Sequence, residues 1–392
     1  MKRRKKEMVS VECEQLFKMI DSIEEKYLDI LEDVCNIESP TNFKEGVDNV
    51  GKYFIATAEK LGFETEIFRQ KVSGDAVCIT LNPDSEKEPI ALSAHMDTVH
   101  PVGSFGTPPV KRDKENMYGP GVMDCKGGAV AALMAMEALG NCGFDKRPVK
   151  LILQSDEENS SKTSNKETIE YMCKKAENSI AFLNLEGVQG NTAVLQRKGI
   201  LRYLFTVQGK ALHSSRCAEA ANAVCEAAYK IIELEKMKDI KGLTCNCVMI
   251  EGGTTPNTVP EKCAFYADIR FSTVEELESV KAIVKEIADN ITVEGCSCEV
   301  EEVSFRPAMC LVEKNVKLLE CMNDIFKRSG LPILEARACL SGSDAAYITE
   351  RGIPCVDNLG TDGGNIHSLK EYIRLGSLAE SAKRIAAFIY CS

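Results

Sequence analysis

Short apolar runs separated by helical segments are the feature that most narrows the fold of this 392-residue chain. Residues 128–139 and 168–176 are helical segments of this kind, and the runs around them have the length of buried strands. Strands that alternate with helices form a mostly parallel sheet flanked by helices, so the pattern predicts an α/β fold. The apolar runs lie at residues 76–81, 89–94, 149–153, 180–185 and 353–356.

The order of elements changes between about residues 199 and 303. This stretch predicts a strand, a helix, two strands, a helix and a last strand, which is the ferredoxin-like order. Two domains are also the default for a chain of this length, because single cores rarely grow beyond about 250–300 residues. We therefore predict a discontinuous larger domain, residues 1–197 and 304–392, with a smaller ferredoxin-like α+β domain, residues 198–303, inserted into it.

Composition argues against several kinds of partner. The chain has 48 Lys and Arg against 59 Asp and Glu, and a net charge of −11 disfavours nucleic acid. No run approaches the ~20 apolar residues that cross a membrane, so no membrane partner is expected. The basic residues 2–6 are not followed by an apolar signal segment, which predicts a solvated tail. Eighteen scattered cysteines without a secretory signal predict a cytoplasmic protein with reduced thiols.

Two of the four histidines stand in settings typical of metal sites. His95 ends an apolar run, and His367 follows a pair of glycines near the other end of the chain. Asp97 lies two residues after His95, so strand periodicity points both side chains the same way and Asp97 can hold the imidazole ring. Alone, this pair would more often mark a core histidine. His100 has no comparable context, and we expect no role for it.

Four carboxylates follow apolar runs or lie in a glycine-rich turn: Asp124, Glu157, Glu158 and Glu186. Consecutive acidic residues usually form a solvated surface run. The three acids at 156–158 instead follow a predicted buried strand, and bound cations explain them better. Ligands bind at the carboxyl ends of the strands in α/β sheets. Two imidazoles and three or four carboxylates make a suitable ligand set for two zinc ions. One member of the Glu157–Glu158 pair could bind metal while the other acts as a general base.

Taken together, the motifs resemble the dinuclear zinc aminoacylase/carboxypeptidase family of metallopeptidases, and most closely its glutamate carboxypeptidase-like branch. The resemblance covers roughly residues 15–390, and its segments occur in the family's order. These segments are SAHMDTV (93–99), YGPGVMDCKGG (118–128), SDEE (155–158), GGTTPNTVP (252–260), ADIR (267–270) and LGTDGGNIHS (359–368).

The resemblance implies a particular arrangement of two zinc ions, for which cobalt or manganese could substitute. Asp124 would bridge the two metals. One metal would also be bound by His95 and Glu186, and the other by Glu158 and His367. The larger domain would then be the catalytic, metal-binding domain.

The resemblance also assigns catalytic roles and a backbone feature. Glu157 would be the general base that deprotonates water between the metals and then carries the proton to the leaving nitrogen. Asp97 would support His95. The peptide bond between Asp124 and Cys125 would be cis.

The remaining implications concern the inserted domain and the substrate. Family members dimerise through this domain, which acts as a lid, and His213 would donate to the oxyanion across the interface of a homodimer. Asn257, Arg270 and Arg306 match positions that hold substrate. The fork of an arginine suits a carboxylate, so the substrate would carry a free C-terminal carboxylate.

The function implied is hydrolysis of an amide bond in a small peptide or N-acyl amino acid, releasing a C-terminal amino acid for which glutamate is one candidate. An N-acyl-amino-acid deacylase of the same fold is the main alternative, because only the pocket would differ. A catalytically silent binding protein is a third possibility, disfavoured because Glu157 and all five metal-binding positions are present.

Overall fold

The computed structural model describes residues 2–392, with side chains described for residues 13–238 and 240–392. The basic side chains of residues 2–6 lie outside that part. The helices are α1 (Lys2–Asn36), α2 (Lys44–Lys60), α3 (Lys126–Asn141), α4 (Glu167–Ala176), α5 (Ala223–Glu235), α6 (Val274–Asp289), α7 (Glu313–Ser329), α8 (Ala345–Glu350) and α9 (Ser377–Cys391). Within the described part of the chain, no helix is both long and apolar enough to cross a membrane.

The strands have between two and ten residues each. They are β1 (Glu64–Phe68), β2 (Ala76–Leu81), β3 (Ile90–His95), β4 (Lys111–Arg112), β5 (Asn116–Tyr118), β6 (Val149–Gln154), β7 (Ala181–Asn184), β8 (Thr192–Arg197), β9 (Gly199–Gln208), β10 (Thr244–Gly252), β11 (Lys262–Phe271), β12 (Ser297–Arg306), β13 (Glu335–Cys339), β14 (Cys355–Val356), β15 (Gly363–Gly364) and β16 (Tyr372–Arg374). The structure combines helices with sheets that contain parallel and antiparallel strands, so the predicted α/β class is confirmed.

The chain folds as two compact units. The first runs to Leu195 and resumes over Leu311–Ala338 and Tyr347–Ser392. The second consists of Gln196–Cys310 and Cys339–Ala346. The second unit is longer than the inserted domain drawn from the sequence, and it includes a separate segment that the sequence analysis assigned to the larger domain.

Hydrogen bonds within the second unit explain why this separate segment belongs to it. The guanidinium of Arg197 donates to the Ser341 hydroxyl at 2.8 Å and to the Gly342 carbonyl at 3.2 Å. The backbone N–H of Lys198 donates to the Cys339 carbonyl at 3.3 Å. These contacts join positions about 140 residues apart in sequence, so no local pattern could have predicted them.

A six-stranded sheet forms the centre of the first unit, in the order β1-β2-β6-β3-β7-β14. Strands β6, β3, β7 and β14 pair in parallel, whereas β1 and β2 join the sheet antiparallel. Every residue of β3 is buried, as expected for a strand covered on both faces. Helix α3 packs against α1 and α9 in the core of this unit. The parallel strands direct their carboxyl ends to one edge of the sheet.

The second unit is built on an antiparallel sheet in the order β10-β11-β9-β12, with α5 and α6 packed on it. Alternate residues of β11 are buried, and the Phe265 ring stacks on Phe205 with centroids 4.9 Å apart. Helix α6 begins after Thr273, whose hydroxyl accepts from the Glu276 N–H at 3.1 Å. Along the chain, these elements run strand, helix, strand, strand, helix, strand. Both β10 and β12 are edge strands.

Candidate metal centre

His95 lies at the carboxyl end of β3 and is only 1% exposed. Its Nε2 is 3.1 Å from Asp124 Oδ1 and 3.9 Å from Glu186 Oε1, where Glu186 follows the end of β7. Its Nδ1 is 2.9 Å from the backbone oxygen of Asp97 and 3.4 Å from the Asp97 carboxylate. Asp97 therefore orients the ring chiefly through its backbone carbonyl, and leaves Nε2 directed at the two other carboxylates.

The carboxylate of Asp97 has separate partners. Its two oxygens accept from the N–H groups of Glu157 and Glu158 at 3.1 and 3.2 Å, and from the Thr41 hydroxyl at 2.7 Å. Asp97 thereby connects the end of β3 to the turn that follows β6. Its buried carboxylate fixes the backbone of two consecutive residues of that turn, Glu157 and Glu158.

Asp124 occupies the turn between β5 and α3, and lies between the two imidazoles. Its Oδ1 is 3.1 Å from His95 Nε2, and its Oδ2 is 3.1 Å from His367 Nε2. The peptide bond from Asp124 to Cys125 is cis, as predicted. Because the two oxygens face different imidazoles, this carboxylate has the geometry of a bridge between two cations.

Three consecutive acids follow β6, and the structure gives them different surroundings. Asp156 is buried and accepts from the Ser164 N–H at 2.8 Å and the Thr168 hydroxyl at 2.7 Å, so it stabilises the loop. Glu158 Oε2 is 3.2 Å from His367 Nε2. Glu157 is buried at the start of a single 3-10 turn.

The acid-base properties of the cluster follow from burial and crowding. Burial alone would raise the pKa of Asp124, but hydrogen bonds from His367 and His95 outweigh it and hold this pKa below its usual value. Burial raises the pKa of Glu158 to about 7, against the hydrogen bond from His367. Burial, followed by the charge of Asp124, raises the pKa of Glu186 well above its usual value. So many acids in one buried place are costly without added positive charge.

The donor set fits divalent metal ions. Ligand atoms of His95, Asp124 and Glu158 lie within 4.8 Å of one another, and so do those of His95, Cys125 and Glu186. Imidazole nitrogen and carboxylate oxygen are ordinary ligands of zinc. The thiol of Cys125 is a candidate metal ligand that the sequence analysis did not consider, although the position of Cys125 next to Asp124 could have suggested this role.

The other predicted site residues belong to the second unit. The exposed His213 precedes a short 3-10 helix, with Nδ1 2.9 Å from the Ser215 hydroxyl. The carbonyl of Asn257 accepts from the Ser214 N–H at 2.9 Å, so the segments that carry His213 and Asn257 are adjacent.

Arg270 and Arg306 lie on either side of β9. Both pair with Ile200 in the strand register, so both are on the same face of the sheet, two strand spacings apart. Arg270 is held by Asp268 at 2.7 Å. Arg306 is buried, with Nη2 3.6 Å from Asp344 Oδ1.

Glu371 is a buried carboxylate of the site that sequence reasoning missed. Its oxygens accept from the N–H groups of Gly121, Met123 and Asp124 at 3.3, 3.0 and 3.1 Å. It therefore fixes the backbone that carries the central carboxylate. His100, for which no role was expected, is buried with Nε2 3.6 Å from Glu371 Oε2 and lies outside the groups of candidate ligands.

The fold and this cluster are those of a metallohydrolase, and similarity to a peptidase family, a carboxypeptidase and a desuccinylase shows that it acts on amide bonds. Residues 91–390 match the model of peptidase family M20/M25/M40, and the chain belongs to this family. The family resemblance predicted from the motifs is thereby confirmed.

Relatives of known function act on several substrates. Carboxypeptidase G2 of Pseudomonas sp. is 27% identical over 356 residues, which cover 89% of this chain and 85% of that protein. Succinyl-diaminopimelate desuccinylase of Nitrosospira multiformis is 28% identical over 364 residues, covering 87% and 91%. An aminopeptidase structure from Bacillus cereus superposes with a TM-score of 0.77 at 21% identity, covering 94% of this chain and 98% of that one. This last likeness concerns the fold alone.

Proposed function

We propose that the protein is a dinuclear zinc hydrolase that releases a C-terminal amino acid from a peptide or N-acyl conjugate. The observation that carries the proposal is the position of Asp124, with one carboxylate oxygen 3.1 Å from each imidazole. Glutamate is the amino acid we propose first, because the chain is similar to carboxypeptidase G2 over 89% of its length. Cobalt or manganese could replace zinc in such a ligand set.

We assign five side chains to the metals. Asp124 would be shared, and each metal would have one imidazole and one further carboxylate. The first set is His95 and Glu186, whose ligand atoms are 3.9 Å apart, and the second is His367 and Glu158, whose ligand atoms are 3.2 Å apart. Bound divalent ions supply Lewis acidity, which polarises an amide carbonyl and lowers the pKa of water.

In this proposal the chain's own groups handle the proton and hold the geometry. Glu157 accepts a proton from the attacking water and delivers it to the leaving nitrogen. Asp97 keeps Glu157 in place, since it accepts the Glu157 N–H at 3.1 Å. Glu371 does the same for Asp124. The reaction thus also depends on two buried carboxylates, Asp97 and Glu371, that position other groups of the site.

We further propose that the second unit is a lid and dimerisation domain of a homodimer. Strand β10 is at the edge of its sheet, and its exposed residues Val248, Met249 and Ile250 are apolar. Unpaired edges of this kind readily pair with another chain. His213 would donate to the oxyanion across that interface, and Asn257, Arg270 and Arg306 would bind the substrate and its free carboxylate. With 18 cysteines and no disulfide among the described residues, we propose a cytoplasmic location.

A deacylase that frees an N-acyl group is the second candidate. It is supported by similarity to the desuccinylase over 87% of the chain. Comparing kcat/KM for N-acetyl amino acids, N-succinyl amino acids and peptidyl-glutamates distinguishes the two, because the better class of substrate identifies the pocket.

A matched pair of variants tests the assignment of roles at the two adjacent glutamates. Glu157→Gln should abolish turnover yet retain about two metals per chain by mass spectrometry. Glu158→Gln should lose both turnover and metal, because it removes a proposed ligand. If the Glu157→Gln variant turns over normally, Glu157 is not the base, and if wild type binds no metal after zinc loading, the proposal is wrong.

A further inference from the structure

A cavity of about 490 Å³ lies in the first unit, and none of the proposed metal ligands lines it. Gly360 and Asp362 form one part of its wall, in the segment that leads to His367. Asn191 and helix α9 form other parts. The volume falls within the roughly 300–1,000 Å³ typical of sites for small molecules.

Two of the three basic side chains that line the cavity are neutralised. Arg374 makes a two-fold contact with Glu380, at 3.0 and 2.7 Å, and also lies 3.4 Å from Asp362. Lys383 forms an ion pair with Asp21 at 2.5 Å. The two carboxylates of the wall are therefore already engaged by Arg374.

Arg384 is the exception among these cations. It is only 8% exposed, and the partner of its guanidinium is the side-chain oxygen of Asn191, a neutral group. Among the side chains that the structure describes, no carboxylate lies within ion-pair distance of it, and its buried Nε has no hydrogen-bond partner. Burial lowers the pKa of this guanidinium. The carboxylates of Glu380 and Asp362 attract this guanidinium only from beyond ion-pair distance, because both are hydrogen-bonded to Arg374. A buried guanidinium without a hydrogen-bonded carboxylate is costly, and an oxyanion in the cavity would offset that cost.

We propose that this cavity is a binding site for a small oxyanion, a carboxylate or a phosphate, with Arg384 as its anchor. The planar fork of arginine binds both groups through two parallel hydrogen bonds. Among the three cations of the wall, Arg384 is the one without a carboxylate in ion-pair contact, so its guanidinium is the group that an oxyanion would bind. The site is separate from the catalytic function proposed above and does not depend on it.

The cavity is connected by hydrogen bonds to the segment that carries His367. The backbone oxygen of Asp362 accepts from the Arg374 N–H at 2.9 Å, and its carboxylate accepts from the Gly190 N–H at 3.1 Å. Both Asp362 and Arg374 line the cavity. An occupant therefore contacts the base of the loop that ends at His367, and should reduce its mobility.

The test uses the metal-loaded protein and two probes, succinate and inorganic phosphate, titrated by calorimetry. Arg384→Gln removes the anchor, and Arg384→Lys keeps the charge without the fork. Lys383→Gln is the matched control, since this neighbour lines the same cavity but is already paired with Asp21. Thermal unfolding establishes that each variant is folded. Oxyanions that bind to the metals instead should bind equally to all of these proteins.

We expect at least a tenfold loss of affinity in Arg384→Gln, a smaller loss in Arg384→Lys and none in Lys383→Gln. The probe whose affinity depends on Arg384 identifies the kind of oxyanion. Hydrogen exchange should show protection of residues 188–191 and 360–367 when that probe binds. The proposal is overturned if wild type binds neither probe at millimolar concentration, or if Arg384→Gln binds both as wild type does.

Discussion

Replacing Glu371 by glutamine should weaken both the fold and the metal centre. Glu371 is 1% exposed, and its carboxylate accepts three backbone N–H groups from the turn of Asp124. Oε1 accepts two of them, from Met123 and Asp124, and Oε2 accepts the third, from Gly121. A glutamine has a single acceptor oxygen, so its NH₂ group must face one of these donors.

The magnitude follows from counting these hydrogen bonds. The glutamine oxygen can keep the two shorter bonds, but they lose their ionic character and about half of their strength. The bond at 3.3 Å to the Gly121 N–H is lost. With about 1.5–3 kcal/mol for each hydrogen bond to a charged group, and a lower cost of burying a neutral amide, we expect a loss of about 2–4 kcal/mol of unfolding free energy. Since residues behind metal ligands commonly affect metal affinity by about 10–100-fold, weaker metal binding should accompany it.

Urea unfolding of the metal-free protein measures the first effect, and competition with a zinc chelator measures the second. Glu170→Gln is the control, because it removes an exposed partner of Arg351, and surface ion pairs contribute only about 0–1 kcal/mol. If Glu371→Gln unfolds within about 0.5 kcal/mol of wild type and binds zinc equally well, Glu371 does not position the Asp124 turn.

Three further predictions concern the whole molecule. Removing metal with a chelator should stop hydrolysis and lower the unfolding temperature, and added zinc should restore both, as activity and calorimetry can show. The thiols of Cys13 and Cys391 are 3.9 Å apart, so a disulfide oxidant should join them, with a mass loss of about 2 Da and a linked peptide that Cys391→Ser lacks. Hydrogen bonds from the Gln70 N–H and Lys44 outweigh burial and lower the pKa of Asp75, so its contribution to stability is present above about pH 4 and is lost as the pH falls. The difference in urea stability between wild type and Asp75→Asn should therefore shrink below pH 4.

The sequence revealed those parts of the fold that bury apolar residues in a regular pattern. Strand β3 is buried along its whole length, and β11 has a buried residue at every second position, so both carry a clear signal. Strand β1 lies at the edge of its sheet, has no buried residue and carries no such signal. The small sheet in the order β15-β16-β5-β4 consists of strands of two or three residues, which are too short to show a period.

The candidate site divides in the same way. His95 and Glu186 each follow an apolar strand, and Asp124 lies among glycines, so local sequence pointed to them and the structure brings them together. Glu371 lies beside Lys370 in what reads as an ordinary exposed charged stretch. Its partners are 247 to 250 residues away in the chain, and only the folded structure reveals that it is buried. Residues that support a site through backbone contacts leave no local pattern.

The three acids after β6 show how the backbone can give neighbouring residues of like chemistry different roles. The carboxylate of Asp156 accepts a hydrogen bond from its own loop, at the Ser164 N–H. The backbone N–H groups of Glu157 and Glu158 instead both donate to the carboxylate of Asp97. Glu158 is thereby held next to His367, with Oε2 3.2 Å from Nε2, and Glu157 is left at the start of the turn. In the proposed function Glu157 is the base and Glu158 a metal ligand, and two such residues must be close in space but must not exchange places. Anchoring two consecutive N–H groups on the two oxygens of one buried carboxylate meets that requirement, because each residue would lose its own hydrogen bond to Asp97 if it shifted.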